Sequence, residues 1–248
     1  MEKTNTAALF LESVQTLLSK LEDTQADAIS KAADLAYASI SKGKKFYLLG
    51  SGHSHMIAEE MYARAGGLGC ISPILPEELM LQQHPQKSTM LERQPSYAHM
   101  LLSVYPLAEG DTLMLVSNSG RNGMLVEMAL EAKKLGVSLI ALTSYVGAAN
   151  QASRHASGKK IGDIADVVID NCGAEGDACC QISDKARMGA TSTITGCYVA
   201  QRLGMEIAER FLADGVEPPV FLSSNVDGGD AWNAELMAKI NAGVYGRA

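Results

Sequence analysis

Apolar positions along the chain fall into two alternating periods. Residues 5–41 carry Leu9, Val14, Leu17, Leu18 and Leu21, then Ile29, Ala33, Leu35 and Ile40, at three- and four-residue intervals. This spacing predicts helix, ended by Gly43. A short apolar run, KKFYLLG (residues 44–50), breaks into glycine and predicts a strand. Residues 54–65 return to helical spacing through Met56, Ile57, Met61 and Tyr62, and a weaker strand is signalled at 70–75. Residues 76–104 mix prolines and polar residues around one possible short helix; an irregular excursion of this length is either functional or a surface insertion. Regularity then resumes with a strand at 112–117, a helix at 122–135, a strand at 137–143, a helix near 148–157, a strand at 166–170 and a long helix at about 189–213. Strands alternating with helices imply βαβ units, hence a doubly wound parallel sheet flanked by helices, here with a helical N-terminal extension. No repeat or low-complexity linker divides the chain, so a single domain over 1–248 is expected, closed by a C-terminal loop and helix at 218–241. In that last segment the pattern predicts a helix over 231–241 with Asp230 as N-cap, and leaves Asp227, Asn233 and Trp232 in a turn-rich stretch.

Composition narrows the function classes. The 248 residues are 47% hydrophobic and carry a net charge of −7. Disorder is excluded, and the basic footprint of a nucleic-acid binder is missing. No apolar run reaches the roughly 18–20 residues of a membrane span. The N-terminal ten residues contain no apolar core of a signal peptide. Five cysteines without scaffold or zinc spacing (Cys70, Cys172, Cys179, Cys180, Cys197) read as reduced thiols. Together these features point to the cytoplasm, with no metal expected.

Two hydroxyl-rich loops carry the chemistry. GSGHS (Gly50 to Ser54) and SNSGRN (Ser117 to Asn122) each follow a predicted strand and precede a predicted helix, 67 residues apart. In an open parallel sheet, ligands sit beyond the carboxyl ends of the strands. Glycine lets the backbone approach an anion, and a helix N-terminus supplies free N–H groups and partial positive charge. Ser51, Gly52, Ser54, Ser117, Asn118, Ser119 and Asn122 therefore read as a phosphate cradle built from neutral groups. Neither loop is a dinucleotide fingerprint or a Walker loop. Read alone, each is also an ordinary capped helix start. Ser144 at the next strand end, with Ser192 and Thr193 opening the long helix, extends the hydroxyl set and suits a polyol bearing the phosphate.

The stretches FYLLGSGHS, LMLVSNSGRNGMLVEMALEAKKLG, LIALTS, SRHASGKKIGDIADVVID and ATSTITGCYVAQRL together resemble the SIS (sugar isomerase) family of phosphosugar-binding domains, over about residues 30–215. The pattern is most similar to bacterial SIS proteins described as phosphoheptose isomerases. The resemblance implies a flavodoxin-like three-layer sandwich, a sugar-phosphate ligand, no cofactor, and a homodimer or homotetramer. It implies an aldose–ketose isomerase working through an enediol, with a phosphate held by Ser51, Ser117, Ser119 and Asn122. Proton transfer between adjacent carbons needs a carboxylate or histidine base. By resemblance to the Glu-Leu-x-x-Arg pattern of phosphoheptose isomerases, Glu60, followed by Met61 and Arg64, is the base; Glu59 and Glu60 are otherwise a solvated helix face. His53, inside the first loop, is the best-placed histidine. His55 is a further acid–base candidate, His84 and His99 lie in the excursion, which would serve as a lid, and His155 reads as structural. Two departures stand out. The long helix TSTITGCYVAQRLGMEIAERF has no histidine, so the zinc ligation of some phosphoheptose isomerases lacks its residues. Arg187 occupies the place of a glutamate in the isomerase domain of glucosamine-6-phosphate synthase, and reads as a substrate contact or a surface charge. The alternatives are a lyase like the N-acetylmuramic acid 6-phosphate etherases, and a non-catalytic sugar-phosphate sensor.

Overall fold

The computed structural model describes residues 5–245. The first helix, α1 (Thr6–Ile40), is one unbroken rod of 35 residues, capped by Asn5, whose side chain accepts from Ala8 N. After it come β1 (Phe46–Gly50), α2 (His55–Met61), β2 (Ile71–Ile74), α3 (Pro85–Glu92), α4 (Ser96–Val104), β3 (Thr112–Val116), α5 (Gly123–Lys134), β4 (Ser138–Thr143) and β5 (Val167–Asp170). A hairpin, β6 (Ala178–Ser183) and β7 (Ala186–Ala190), precedes α6 (Ser192–Ala213) and α7 (Gly229–Asn241).

The five main strands pair in parallel in the order β2-β1-β3-β4-β5. The expected doubly wound sheet is therefore present, and its strand order reverses between β1 and β3. Every residue of β1 and β3 is buried, as a sheet covered on both faces requires. Successive side chains alternate between two cores. Phe46, Leu48, Met114, Val116, Ile140, Leu142 and Ile169 face α1, α2 and α6, where they meet Leu21, Ile29, Ile57, Leu203 and Ile207. Tyr47, Leu49, Leu113, Leu115, Leu139 and Ala141 face α4 and α5, where they meet Ala98, Leu101, Leu125 and Met128. The result is three layers. Polar clamps reinforce the α1–α6 contact: Arg202 Nη1 donates to Glu22 at 2.5 Å, and Arg210 Nε to Asp34 at 2.7 Å.

Five local expectations change. Residues 148–157 form turns, not a helix, because their serines bond the nearby backbone instead. Ser153 Oγ donates to Lys159 O at 2.7 Å and accepts from His155 N at 3.0 Å, and Ser157 Oγ accepts from Lys159 N. The excursion at 76–104 contains two helices, α3 and α4. The helix expected to reach residue 65 stops at Met61. Beyond it the chain turns to dock on the C-terminal segment, with Gly66 N bonded to Phe221 O at 2.8 Å and Gly69 N to Pro219 O at 2.7 Å. The β6–β7 hairpin was not expected; its side chains are mostly exposed, so it carries no two-sided apolar signal. Gly228, not Asp230, caps α7 because a left-handed turn (φ 82°) precedes it; Asp230 lies in the first turn.

Candidate functional site

The loops after β1, β3 and β4 converge beyond the carboxyl ends of the strands, on either side of the β1/β3 reversal. They enclose a cavity of about 280 Å³ lined by Ser54, Ser117, Asn118, Ser119, Ser144 and Glu92, with Gln151 and Asp177 at its edge. A small annex next to it is lined by His53, Ser54, Asn118, Asn171, Ser192 and Thr193. The structure thus gathers most of the residues expected from the two loops around one space.

Their hydrogen bonds separate them into fixed and free groups. Ser117 is buried, and its Oγ accepts from Gly120 N at 3.1 Å, closing the loop on itself. Gly120 adopts φ +63°, and a Cβ there would sit 3.0 Å from Thr143 Oγ1. Ser144 Oγ donates to Gly173 O at 2.6 Å. Asn118 Oδ1 accepts from Asn171 Nδ2 at 2.8 Å. Asn122 spans two partners: its Nδ2 donates to Glu92 Oε1 at 2.6 Å and its Oδ1 accepts from Arg154 Nη1 at 2.9 Å. Ser54, Ser119 and Thr193 keep hydroxyls that have no side-chain hydrogen bond among the described residues. They are the groups with donors to spare.

The two helix N-termini at the site differ. Asp177 closes that of α6: its Oδ1 accepts from Thr191 N at 2.9 Å and Ser192 N at 2.8 Å, and its Oδ2 accepts from Ser192 Oγ at 2.6 Å. Ser192 therefore serves the helix cap, and the positive end of α6 is already answered. The N-cap of α5, Asn122, makes no side-chain cap bond. No acidic residue lies in the first turn of α5, but Asn122, Met124 and Leu125 are buried and line neither space, so the Ser117–Ser119 loop, not the helix end itself, faces the cavity.

Five of the expected residues line neither space: Ser51, Gly52, His55, Glu60 and Asn122. Ser51 is buried and lines neither space. His55 is buried, with its Nδ1–H donating to Gly52 O, and holds the first loop from beneath. Glu60 lines a different cavity, of about 150 Å³, beside Gly66, Gln201 and Gly204. Its carboxylate accepts from Gln201 Nε2 at 2.7 Å and pairs with Arg64. The remaining histidines are also outside. His84 caps α3, while His99 and His155 both pair with Glu127, at 3.1 and 2.7 Å. Arg187 donates to the carbonyls of Ala178 and Cys179, so it braces the hairpin.

Sequence reasoning missed Glu92, Gln151 and Asp177. Glu92 reaches the cavity from the last residue of α3, inside the segment read as irregular. Asp177 stands in the turn before a hairpin that was not expected. A larger cavity of about 530 Å³ opens beneath α1, shares Gly147 and Ala174 with the first, and is lined by Leu17, Cys172 and Cys179; none of the expected site residues borders it. For a cation, His99, Glu127 and Glu131 bring ligand atoms within 4.8 Å of one another, outside the cavity. No helix among the described residues is long and apolar enough to cross a membrane.

The chain is similar to several known proteins. The SIS domain matches over residues 9–144. A UPF0309 protein from Halalkalibacterium halodurans is 47% identical over 222 residues, covering 89% of this chain and 92% of that protein. A UPF0309 protein from Caldanaerobacter subterraneus is 40% identical, covering 93% and 96%. Among solved structures, a phosphoheptose isomerase from Francisella tularensis aligns with a TM-score of 0.54 at 17% identity, covering 84% of this chain and 100% of that one. The Vibrio vulnificus NanR protein complexed with ManNAc-6P aligns with a TM-score of 0.52 at 12% identity, covering 97% and 70%. At these identities the two structures share the fold.

Proposed function

This chain belongs to the SIS-domain family, and on that footing we propose that it binds a sugar phosphate in the 280 Å³ cavity and interconverts its aldose and ketose forms through an enediol. The observation that carries this reading is the contrast between the two helix ends. A dianion is welcome at the Ser117–Ser119 loop, which lines the cavity with hydroxyls and amides and leads into a helix with no acidic residue in its first turn. The same dianion is repelled from α6, where Asp177 already sits. The phosphate therefore lies at the α5 side, and the sugar extends past Ser54 toward Asp177 and the annex. Carboxylates suit hydroxyl donors, so Asp177 matches the polyol end, while Glu92 is held by Asn122 at the start of α5.

For the proton transfer, His53 is the imidazole on this side of the sheet. It is exposed at the annex beside Ser54 and Thr193. Imidazole exchanges protons near neutral pH, as an enediol pathway requires. Glu60 remains the base implied by family resemblance, but from its separate cavity it reaches this sugar only if the site is completed differently in an assembly. The two assignments predict opposite variants. If His53 carries the proton, His53→Ala abolishes turnover and Glu60→Gln leaves it; the reverse result assigns Glu60.

A non-catalytic sensor is the second reading, favoured by one observation: the Glu60 carboxylate is already engaged by Gln201 and Arg64. One experiment tests both. A panel of aldose and ketose phosphates is screened by thermal shift, and each binder is followed by NMR for interconversion. Binding with interconversion supports the isomerase; binding without it supports the sensor. No binding by any member refutes both.

A further inference from the structure

Away from the cavity, two carboxylates and two imidazoles meet beside α5. Glu127 and Glu131 stand one turn apart on that helix, with side chains only 18% and 21% exposed. Like charges at this spacing repel, and carboxylates so far out of water call for a cation or strong donors. Donors arrive from two other segments. His99 reaches across from α4, its Nε2 3.1 Å from Glu127 Oε1. His155 comes from the turns at 148–157, its Nε2 2.7 Å from Glu127 Oε2.

Hydrogen bonds give the two imidazoles different work. Ser157 N donates to His155 Nδ1 at 3.1 Å, so the His155 proton sits on Nε2 and is given to Glu127 Oε2. His155, with its side chain 9% exposed, is a fixed brace behind Glu127. His99 makes no second side-chain bond among the described residues, and its ring is 55% exposed, so its Nε2 is free to turn a lone pair toward a cation. Glu131 Oε1 accepts from the well-exposed Lys134 at 2.6 Å, while its Oε2 has no partner among the described residues. The ligand atoms of His99, Glu127 and Glu131 all lie within 4.8 Å of one another. Around a tetrahedral zinc ion such atoms stand roughly 3.3–3.6 Å apart, so the three close in by about 1 Å, which rotation of the exposed His99 ring helps to supply.

We infer that His99, Glu127 and Glu131 bind a divalent first-row transition ion of the Zn²⁺ type, with His155 orienting Glu127 from behind. One imidazole with two carboxylates suits such ions, whereas Mg²⁺ and Ca²⁺ take oxygen ligands. A ligating carboxylate held by its own hydrogen bond is the usual support of a metal site. Three protein atoms leave the remaining positions to water, and Lys134 gives up its bond to Glu131 and returns to solvent. The ion ties α4 to α5 and so anchors the 76–104 segment, whose α3 carries Glu92 to the cavity wall. None of the four residues lines the cavity or its annex, so the inference stands apart from the sugar-phosphate reading.

Zinc chloride and cobalt(II) chloride, added to the chelator-treated full chain without any sugar, test it. Calorimetry should show one saturable equivalent of zinc. At zinc about ten times its dissociation constant, Tm should rise by about 3–6 °C. The cobalt spectrum should lack a sulfur-to-metal charge-transfer band, since no cysteine is among the ligands. His99→Ala and Glu131→Ala should each abolish the Tm shift, and His155→Ala should weaken binding about 10- to 100-fold. His99 is exposed, so its variant keeps the test valid even if His155→Ala fails to fold. No saturable binding, an equal response to Mg²⁺, a thiolate band in the cobalt spectrum, or a shift that survives His99→Ala overturns the inference.

Discussion

Replacing Ser119 by alanine separates binding from folding. Ser119 is half-buried on the cavity wall, and its hydroxyl makes no side-chain bond among the described residues. Its removal should leave the unliganded protein within about 0.5 kcal/mol of the parent, as for surface changes that break nothing. A hydrogen bond to a charged group contributes about 1.5–3 kcal/mol. The dissociation constant for a sugar phosphate should therefore rise by roughly 10- to 140-fold. Consider ligand at about 100 times the parent's dissociation constant, which stabilises the parent by about 2.7 kcal/mol. With binding weakened about 30-fold, the same concentration stabilises the variant by only about 0.9 kcal/mol. At roughly 2–4 °C per kcal/mol for a chain of this size, the ligand-induced shift in Tm falls from about 5–11 °C to about 2–4 °C. Ser117→Ala behaves differently. It strips Gly120 N of its acceptor, so it lowers the Tm of the free protein by a cost of about 1–3 kcal/mol as well as weakening binding. Thermal melts with and without ligand read both quantities. A Ser119→Ala variant that keeps the parent's full ligand shift would refute the placement of the phosphate on this loop.

Asp177→Ala should cost up to about 2 kcal/mol of stability, the upper end for helix caps, because it removes the acceptor of Thr191 N, Ser192 N and Ser192 Oγ together; urea denaturation measures it. Leu203→Ala, at a fully buried position between α6 and the sheet, should cost about 2–5 kcal/mol in the same assay. Burial pushes the Cys70 thiol up to about 12, so a thiol reagent at pH 8 should label Cys179 and Cys197 in the native protein and reach Cys70 only on unfolding. Burial, and then its bond to Asp214, raise the Tyr37 hydroxyl to about 12. A folded-state value raised above the unfolded one gives stability that is present below pH 10 and fades between about pH 10 and 12. Tyr37→Phe should flatten that alkaline limb of the denaturation profile.

The sheet was legible because its strands are buried on both faces. Runs such as FYLLG and TLMLV, each ended by a hydroxyl or glycine turn, leave little else to choose. The two loops at the strand-order reversal were legible for the same reason: strand, turn and helix follow one another within a dozen residues. What escaped was set by contacts distant in sequence. Residues 148–157 have an acceptable helical composition, yet serine-to-backbone bonds outcompete the helix there. Glu60 sits at the position where the family resemblance places a base. The structure bonds its carboxylate to Gln201 and pairs it with Arg64, in a cavity apart from the two loops. Glu92 and Asp177 carry no motif at all; they belong to the site only because α3 and the hairpin turn fold over it.

The proposed assignment of the two cavity ends rests on charge at the helix caps. A chain with net charge −7 attracts anions only through local fields. Each helix end at the site offers roughly half a positive charge. At α6 that half charge is already overcompensated by Asp177, so the region around Ser192 is net negative despite its hydroxyls. At α5 the side chain best able to cap, Asn122, is turned outward to Glu92 and Arg154, and no carboxylate caps the first turn. Hydroxyl count does not distinguish these ends, since serines line both. Cap occupancy does, and under the sugar-phosphate proposal it directs the anionic end toward Ser117 and Ser119 and the hydroxyls toward Asp177. Exchanging the caps tests the direction itself. Asp177→Asn relieves the negative end at α6 and should loosen the ligand's orientation, so that both orientations appear in a crystal of the complex. In the parent, a phosphate found at Ser192 would show that helix-end electrostatics do not set the pose.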